Sequence, residues 1–177
     1  MAPIIALCEY MRRTHDAPFL HTHRDAVDLL RERLLARLDP TTGLYSTLQD
    51  SQDEFQKLPF ITYDNVLAWH AWRDIAEMYD AVGATKLSST ATQRADALKQ
   101  AIFAHCVRTG APGASGSIFA SAVDASGNAV FTDIPPGSLF KLPLLGFVAE
   151  DDPVFARTYD WLHSRDYQYS YAGAPYG

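Results

Sequence analysis

Apolar residues recur at helical spacing along most of the chain and predict two pairs of antiparallel helices. The first pair is predicted at 3–13 and 18–38, and the second at 63–82 and 88–107. Gly83 ends the third helix, because glycine adopts the positive φ of a helix stop. The stripes that define the three longer helices are Val27, Leu30, Leu34 and Leu38, then Leu67, Ile75, Met78 and Val82, and then Ala91, Ala95, Leu98 and Ile102.

Small residues and prolines interrupt the helical pattern after the fourth helix. Two short runs, 117–123 and 128–132, flank the turn sequence Asp-Ala-Ser-Gly and predict a small β-hairpin. Residues 139–147 predict a fifth helix. Asp152 followed by proline predicts the N-cap and first turn of a sixth helix. The pattern therefore predicts an all-α fold with one small β insertion.

Antiparallel helix pairs occur both in α-solenoids and in α/α toroids. A solenoid requires a sequence repeat at a fixed period, and no such repeat recurs in this chain. The loops are long, differ from one another and carry the carboxylates and aromatic rings, as is typical when helices are the scaffold and loops carry the function. This favours a toroid-type enzyme.

Composition and charge limit the classes of molecule that this chain can bind. The net charge of −6 and the absence of a Lys/Arg cluster interleaved with aromatics exclude a nucleic-acid surface. No apolar stretch is long enough to cross a bilayer. The first residues lack the basic start of a secretory signal, so we expect a cytoplasmic protein. Cys8 and Cys106 predict free thiols, and His21 and His23 do not make a metal site by themselves.

The densest polar segment contains Asp50, Asp53 and Glu54, and Asp64 follows at the start of the next predicted helix. Cleavage of a glycosidic bond needs a proton donor at the leaving oxygen and a second carboxylate across the sugar ring, so acids in one loop fit this chemistry. The same residues fit solvated loop charges, with Thr62 or Asp64 capping the helix. From the residues alone, both interpretations stay open.

Aromatic residues near these acids favour a carbohydrate ligand, because sugar rings stack their C–H faces on aromatic side chains. Tyr45, Phe60, Tyr63 and Trp69 are candidates for such contacts. Trp72 lies inside the same predicted helix and is interpreted as a core residue. No P-loop, dinucleotide-binding fingerprint or nucleophile elbow occurs in the chain.

Four segments in this order resemble the six-hairpin glycosidases, and among them glycoside hydrolase family 125, the metal-independent α-mannosidases. The resemblance covers roughly residues 40–165. The segments are Thr42-Gly-Leu-Tyr45, Gln49-Asp-Ser-Gln-Asp53, Pro59-Phe-Ile-Thr-Tyr-Asp-Asn65 and Gly137-Ser-Leu-Phe-Lys-Leu-Pro-Leu-Leu-Gly-Phe147.

The resemblance implies a partial (α/α)6 toroid of antiparallel helical hairpins, with 1–177 as one partial catalytic domain. It also implies an inverting exo-α-mannosidase-like hydrolase that acts on an oligosaccharide or glycoside and uses no metal or organic cofactor. The second carboxylate would lie in a C-terminal part that this chain lacks. Exposed inner helix faces would then favour self-association.

Residue by residue, the Ser-Asp-Asp loop of the family falls on residues 51–53 and makes Asp53 the expected general acid. Gln52 stands where the family has an acid, so Asp50 is the second candidate. The residues expected to line the sugar subsite are Tyr45, Tyr63, Asp64, Asn65 and Trp69.

Two alternatives from other classes remain. In a helical-repeat interaction module, the same loops would bind a protein partner. In a truncated gene product, the chain would have no independent function. The first alternative predicts that the carboxylates scatter over the outer surface, whereas an enzyme predicts that they converge on one concavity.

Overall fold

The computed structural model describes residues 1–47, 49, 57–133 and 137–169, and the bounds that follow refer to these residues. Two antiparallel sheets and a 3₁₀ turn accompany the α-helices, which confirms the all-α class. The helices are α1 (Ala2–Thr14), α2 (Ala17–Thr22), α3 (Arg24–Leu35), α4 (Thr62–Ala81), α5 (Thr85–Cys106) and α6 (Pro153–Leu162). The strands are β1 (Phe60–Ile61), β2 (Val107–Arg108), β3 (Ile118–Phe119), β4 (Ala122–Val123) and β5 (Ala129–Val130).

Helix α4 lies at the centre of the core and α5 covers it from outside. Buried residues occur around most of the circumference of α4, including Ala68, Trp72 and Ile75. Helix α5 buries only one stripe, which includes Ala91 and Leu98. A helix that is apolar on nearly all sides must be enclosed, whereas a one-sided helix can face water. The pair therefore has the inner and outer layers of a helical toroid, and this confirms the predicted partial toroid.

The prediction of a single helix over 18–38 is wrong, because the chain forms two helices, α2 and α3, which are separated at His23. The His23 imidazole Nδ1 lies 2.8 Å from the Phe19 carbonyl oxygen, and the His23 amide also donates to that carbonyl, at 3.0 Å. The His23 carbonyl then accepts from the Ala26 amide at 2.9 Å, an i→i+3 contact with which α3 starts. Helix α3 then ends at Leu35, and Leu38 pairs with Tyr45 in a short β-bridge.

The predicted helix over 139–147 is also wrong. Only Leu139–Lys141 forms a 3₁₀ turn, and turns follow it. Pro143 has no amide hydrogen to donate and cannot extend a helical ladder. Gly146, at φ +70°, then donates its amide to the Pro143 carbonyl. The sixth helix is confirmed, with Asp152 as its N-cap.

The predicted β-hairpin is confirmed for β4 and β5, where Ala122 pairs with Val130. The rest of the predicted first strand belongs to another sheet, because β3 pairs with β2. Strand β1 completes the first sheet beside β4. These pairings join residues far apart in sequence, which local periodicity cannot reveal.

The β insertion ties down the start of α4. The Thr62 amide donates to the Ser121 carbonyl at 2.8 Å, and the Thr62 hydroxyl donates to the Ala120 carbonyl at 2.5 Å. Helix α4 begins without a side-chain cap, so the interpretation of Thr62 as its cap is wrong. Asp64 lies in the first turn, where a carboxylate is favoured by the positive end of the helix dipole.

One hydrophobic core contains side chains from all six of these α-helices. Among the described residues, no helix is long and apolar enough to cross a membrane.

Candidate functional site

A cavity of about 440 Å³ lies at the N-terminal end of α4. Tyr45 and Asp64, two predicted site residues, line it together with Gln49 from the acid-rich segment. Arg33 and Arg37 contribute side chains from α3 and the turn after it. The volume falls within the range of small-molecule sites, and the lining offers both hydrogen-bond donors and acceptors.

A turn at the end of α3 brings Tyr45 to this cavity. The Asp39 carboxylate accepts hydrogen bonds from the Thr41 and Thr42 amides at 3.0 and 2.8 Å, and the bonds from Thr42 hold the pKa of Asp39 below its ordinary value. Gly43 follows at φ +72°, a left-handed conformation that suits glycine. The predicted break at residues 39–43 is thus a tight turn that returns the chain beside α3.

Asn65 is buried and holds the backbone of Tyr45. Its Oδ1 accepts a hydrogen bond from the Tyr45 amide at 2.7 Å. Its Nδ2 donates to the carbonyls of Tyr45 and Ile61 at 3.1 and 2.9 Å. Asn65 is 0% exposed. These three hydrogen bonds all join its side chain to the protein main chain.

The Tyr45 side chain is largely enclosed. Its hydroxyl accepts a hydrogen bond from Trp72 Nε1 at 2.8 Å, and burial raises the pKa of the phenol above its ordinary value. The ring therefore stays neutral at physiological pH and serves as a wall of the cavity. Tyr63 is half-buried in the first turn of α4, and burial followed by the Asp64 charge raises its pKa.

Trp69 lies deeper in the core. Its ring contacts Phe147 edge-on at 5.2 Å, and Arg73 and Lys99 place their cations 5.0 and 5.4 Å from its centre. It is 4% exposed. These contacts join α4, α5 and the segment after the 3₁₀ turn, while sugar stacking by Trp69 stays a prediction. Trp72, interpreted as core, is 1% exposed.

The two candidate acids, Asp50 and Asp53, lie outside the described residues. On either side of them, the Thr47 amide donates to the Pro59 carbonyl at 2.9 Å. The described residues on either side of the acid-rich segment therefore lie together, and Thr47 lines the cavity. Asp64 is the predicted carboxylate that the structure places in this concavity.

One described cluster has the composition of a metal site. Potential ligand atoms of Cys8, Asp74 and Glu77 lie within 4.8 Å of one another. However, Arg12 already bonds Asp74 at 2.7 Å and Glu77 at 2.6 Å, and burial raises the pKa of Cys8 to about 12. A thiol that stays protonated is a poor ligand, so the cluster is better described as an ion-pair network.

The sequence did not reveal two features of this region. The role of Asn65 had a weak signal, because a polar residue seven positions before Trp72 falls on the same buried face of α4. No signal in the sequence indicated that Arg33 and Arg37 line the cavity, because this depends on how the end of α3 packs against the start of α4.

A protein-family profile described as metal-independent α-mannosidase, GH125, matches residues 11–176. Among solved structures, the chain is similar to a metal-independent α-mannosidase of Streptococcus pneumoniae in a non-productive complex with α-1,6-mannobiose, with 24% identity and a TM-score of 0.67. That match covers 75% of this chain and 32% of the mannosidase.

The chain is also similar to a GH78 rhamnosidase of Bacillus sp. GL1, with 20% identity and a TM-score of 0.69, over 93% of this chain and 17% of that one. At these identities the two structures establish the shared fold. The chain spans about a third or less of the length of both. A comparison with curated proteins gives no significant match.

Proposed function

The chain belongs to glycoside hydrolase family 125, the metal-independent α-mannosidases, and from this premise we propose that it forms the acid-bearing part of an α-mannoside-hydrolysing site. The observation that carries the proposal is the cavity at the start of α4, which Gln49 and Asp64 line, because Gln49 directly precedes Asp50 in the acid-rich segment.

In this proposal Asp53 donates a proton to the leaving glycosidic oxygen, and Asp50 is the alternative donor. The departing sugar would otherwise leave as an alkoxide, so proton donation in the transition state lowers the barrier. An inverting enzyme places a second carboxylate about 6.5–9.5 Å away to activate water. The match covers 32% of the pneumococcal mannosidase. We assign the second carboxylate to the part of the family fold that lies outside this match.

The cavity lining is suited to a neutral, hydroxyl-rich ligand. Asp64 and the Gln49 carbonyl offer acceptors, whereas Arg33 and Arg37 offer donors. Opposite charges on its walls bind sugar hydroxyls without requiring a charged ligand. Tyr45 and Tyr63 are the proposed aromatic neighbours of the ring, and the mannobiose complex of the pneumococcal mannosidase makes an α-mannoside the ligand to test first.

The test is turnover of aryl α-mannosides and aryl α-glucosides by a full-length family homologue, without substitution and with the changes that correspond to Asp53→Asn, Asp50→Asn and Glu54→Gln. We expect Asp53→Asn to lower turnover about 10²–10⁴-fold, because general acid catalysis contributes that much. Glu54→Gln, the matched control in the same loop, should change it little. Unchanged turnover in Asp53→Asn would remove that residue from the acid role, and loss confined to Asp50→Asn would transfer the role there.

A further inference from the structure

Asn65 pairs with a backbone segment as a neighbouring β-strand would. Its side-chain amide accepts from the Tyr45 N–H at 2.7 Å and donates to the Tyr45 carbonyl at 3.1 Å. The second amide hydrogen donates to the Ile61 carbonyl at 2.9 Å. Both of its donor hydrogens are used, and the residue is fully buried. The whole amide group is therefore committed to the main chain.

The same helix holds Tyr45 at a second point. Trp72 lies seven residues after Asn65, on the same face of α4, and its Nε1 donates to the Tyr45 hydroxyl at 2.8 Å. The segment after Tyr45 is also held, since Ser46 donates to the Arg37 carbonyl and Thr47 to the Pro59 carbonyl, both at 2.9 Å. Helix α4 thus fixes both the backbone and the ring of Tyr45.

This segment forms one wall of the cavity, through Tyr45, Ser46, Thr47 and Gln49. Asn65 itself is not among the residues that line that cavity. We propose that Asn65 is a positioning residue, which sets the cavity wall through the main chain of Tyr45 without touching the sugar. This assignment rests on the proposed function and differs from the substrate contact expected from the sequence.

The test compares Asn65→Asp with Asn65→Leu. The aspartate variant keeps the acceptor for the Tyr45 amide but turns a carboxylate toward the carbonyls of Tyr45 and Ile61. Burial favours the protonated carboxyl, which regains one donor. Lowering the pH from about 8 to about 5 should therefore restore the contact in Asn65→Asp, whereas Asn65→Leu has no group that could respond.

Two readouts are required, amide hydrogen exchange at Tyr45 and Thr47 and affinity for α-1,6-mannobiose. At about pH 8 we expect both variants to exchange at least about tenfold faster at Tyr45 and to bind mannobiose correspondingly more weakly. At about pH 5 only Asn65→Asp should recover toward the wild type. Simple loss of packing would affect both variants alike at both pH values.

Thr158→Val is the matched control, since Thr158 is also buried and its hydroxyl accepts from the Phe119 amide at 3.0 Å and donates to the Val154 carbonyl at 2.7 Å. It should speed exchange at Phe119 and leave Tyr45 protected. Unchanged exchange at Tyr45 in both Asn65 variants, or no recovery of Asn65→Asp at low pH, overturns the assignment. A wild-type chain that binds no mannoside defeats the proposed function instead, while the exchange data still decide the role of Asn65.

Discussion

Buried polar residues around Cys8 show how single positions constrain this fold. Asp74 is fully buried, and its desolvation raises its pKa, while His70 and Arg12 act in the opposite direction. Arg12 reaches across from α1 to bond Asp74 and Glu77 on α4. The ion pair thus fixes how α1 sits on the central helix, which no periodicity in the sequence indicates.

We predict that both cysteines of the native protein resist alkylation. Burial raises the pKa of Cys8 to about 12 and that of Cys106 to about 11. A thiol reacts as the thiolate, which forms only above its pKa, so at about pH 8 nearly all of both thiols is protonated. Mass spectrometry after iodoacetamide treatment should show two labels in denaturant and none in the native state. A rapidly labelled native cysteine would contradict the described burial.

We predict that Arg12→Met destabilises the fold by about 3 kcal/mol, because it leaves the buried Asp74 carboxylate without its cation. Adding Asp74→Leu to the same chain should recover most of the loss. Chemical denaturation measures both. The control is Arg13→Met, because Arg13 pairs with Glu9 on the exposed side of α1 and should contribute little. Equal losses in Arg12→Met and Arg13→Met would refute a special role for the pair that Arg12 forms with the buried Asp74.

Among the elements, those with strong local signals were predicted best. Helices α4 and α5 match the predicted ranges closely, because their apolar stripes are long and Gly83 separates them. The break at His23 and the sheet that joins β2 to β3 were missed. The first depends on the backbone conformation of one residue, φ −106° and ψ 21° at His23, and the second on contacts between distant segments.

The N-cap of α6 is a local signal with a measurable contribution. Asp152 accepts hydrogen bonds from the amides of Val154 and Phe155 at 2.9 and 3.0 Å. We predict that Asp152→Ala lowers the free energy of unfolding by about 1 kcal/mol, because two helix amides lose their acceptor. Asp151→Ala, one position earlier, is the control in urea denaturation. An equal effect of the two substitutions would show that charge, not capping, stabilises α6.

At the scale of the whole molecule, the chain contains the inner and outer layers of part of a toroid. The fold class followed from helix periodicity, and the family from four short segments. The site was predicted only in part, since Tyr45 and Asp64 meet at the cavity while Asn65 and Trp69 are buried and do not line it. The difference is physical, because residues on one helix share a face by periodicity but their depth depends on what packs over them.

A second, apolar cleft of about 510 Å³ lies between α6 and the segment before it. Leu144 and Tyr159 line it and are 81% and 47% exposed. We predict that the chain self-associates through this face and that Leu144→Ser weakens the association, because a large exposed apolar side chain favours contact. Sedimentation over a concentration series measures this. Leu29→Ser on α3 is the control, with 53% exposure at another surface. A wild-type monomer at every concentration would contradict it.

The central claim is that the cavity at the start of α4 binds an α-mannoside, and nuclear magnetic resonance of the isotope-labelled chain tests it without requiring turnover. Titration with α-1,6-mannobiose should shift the amide signals of Ser46, Thr47, Gln49 and Asp64 in a saturable way, while signals at the α6 cleft stay in place. Saturable shifts confined to the α6 cleft, or none at the four cavity residues, would contradict the account.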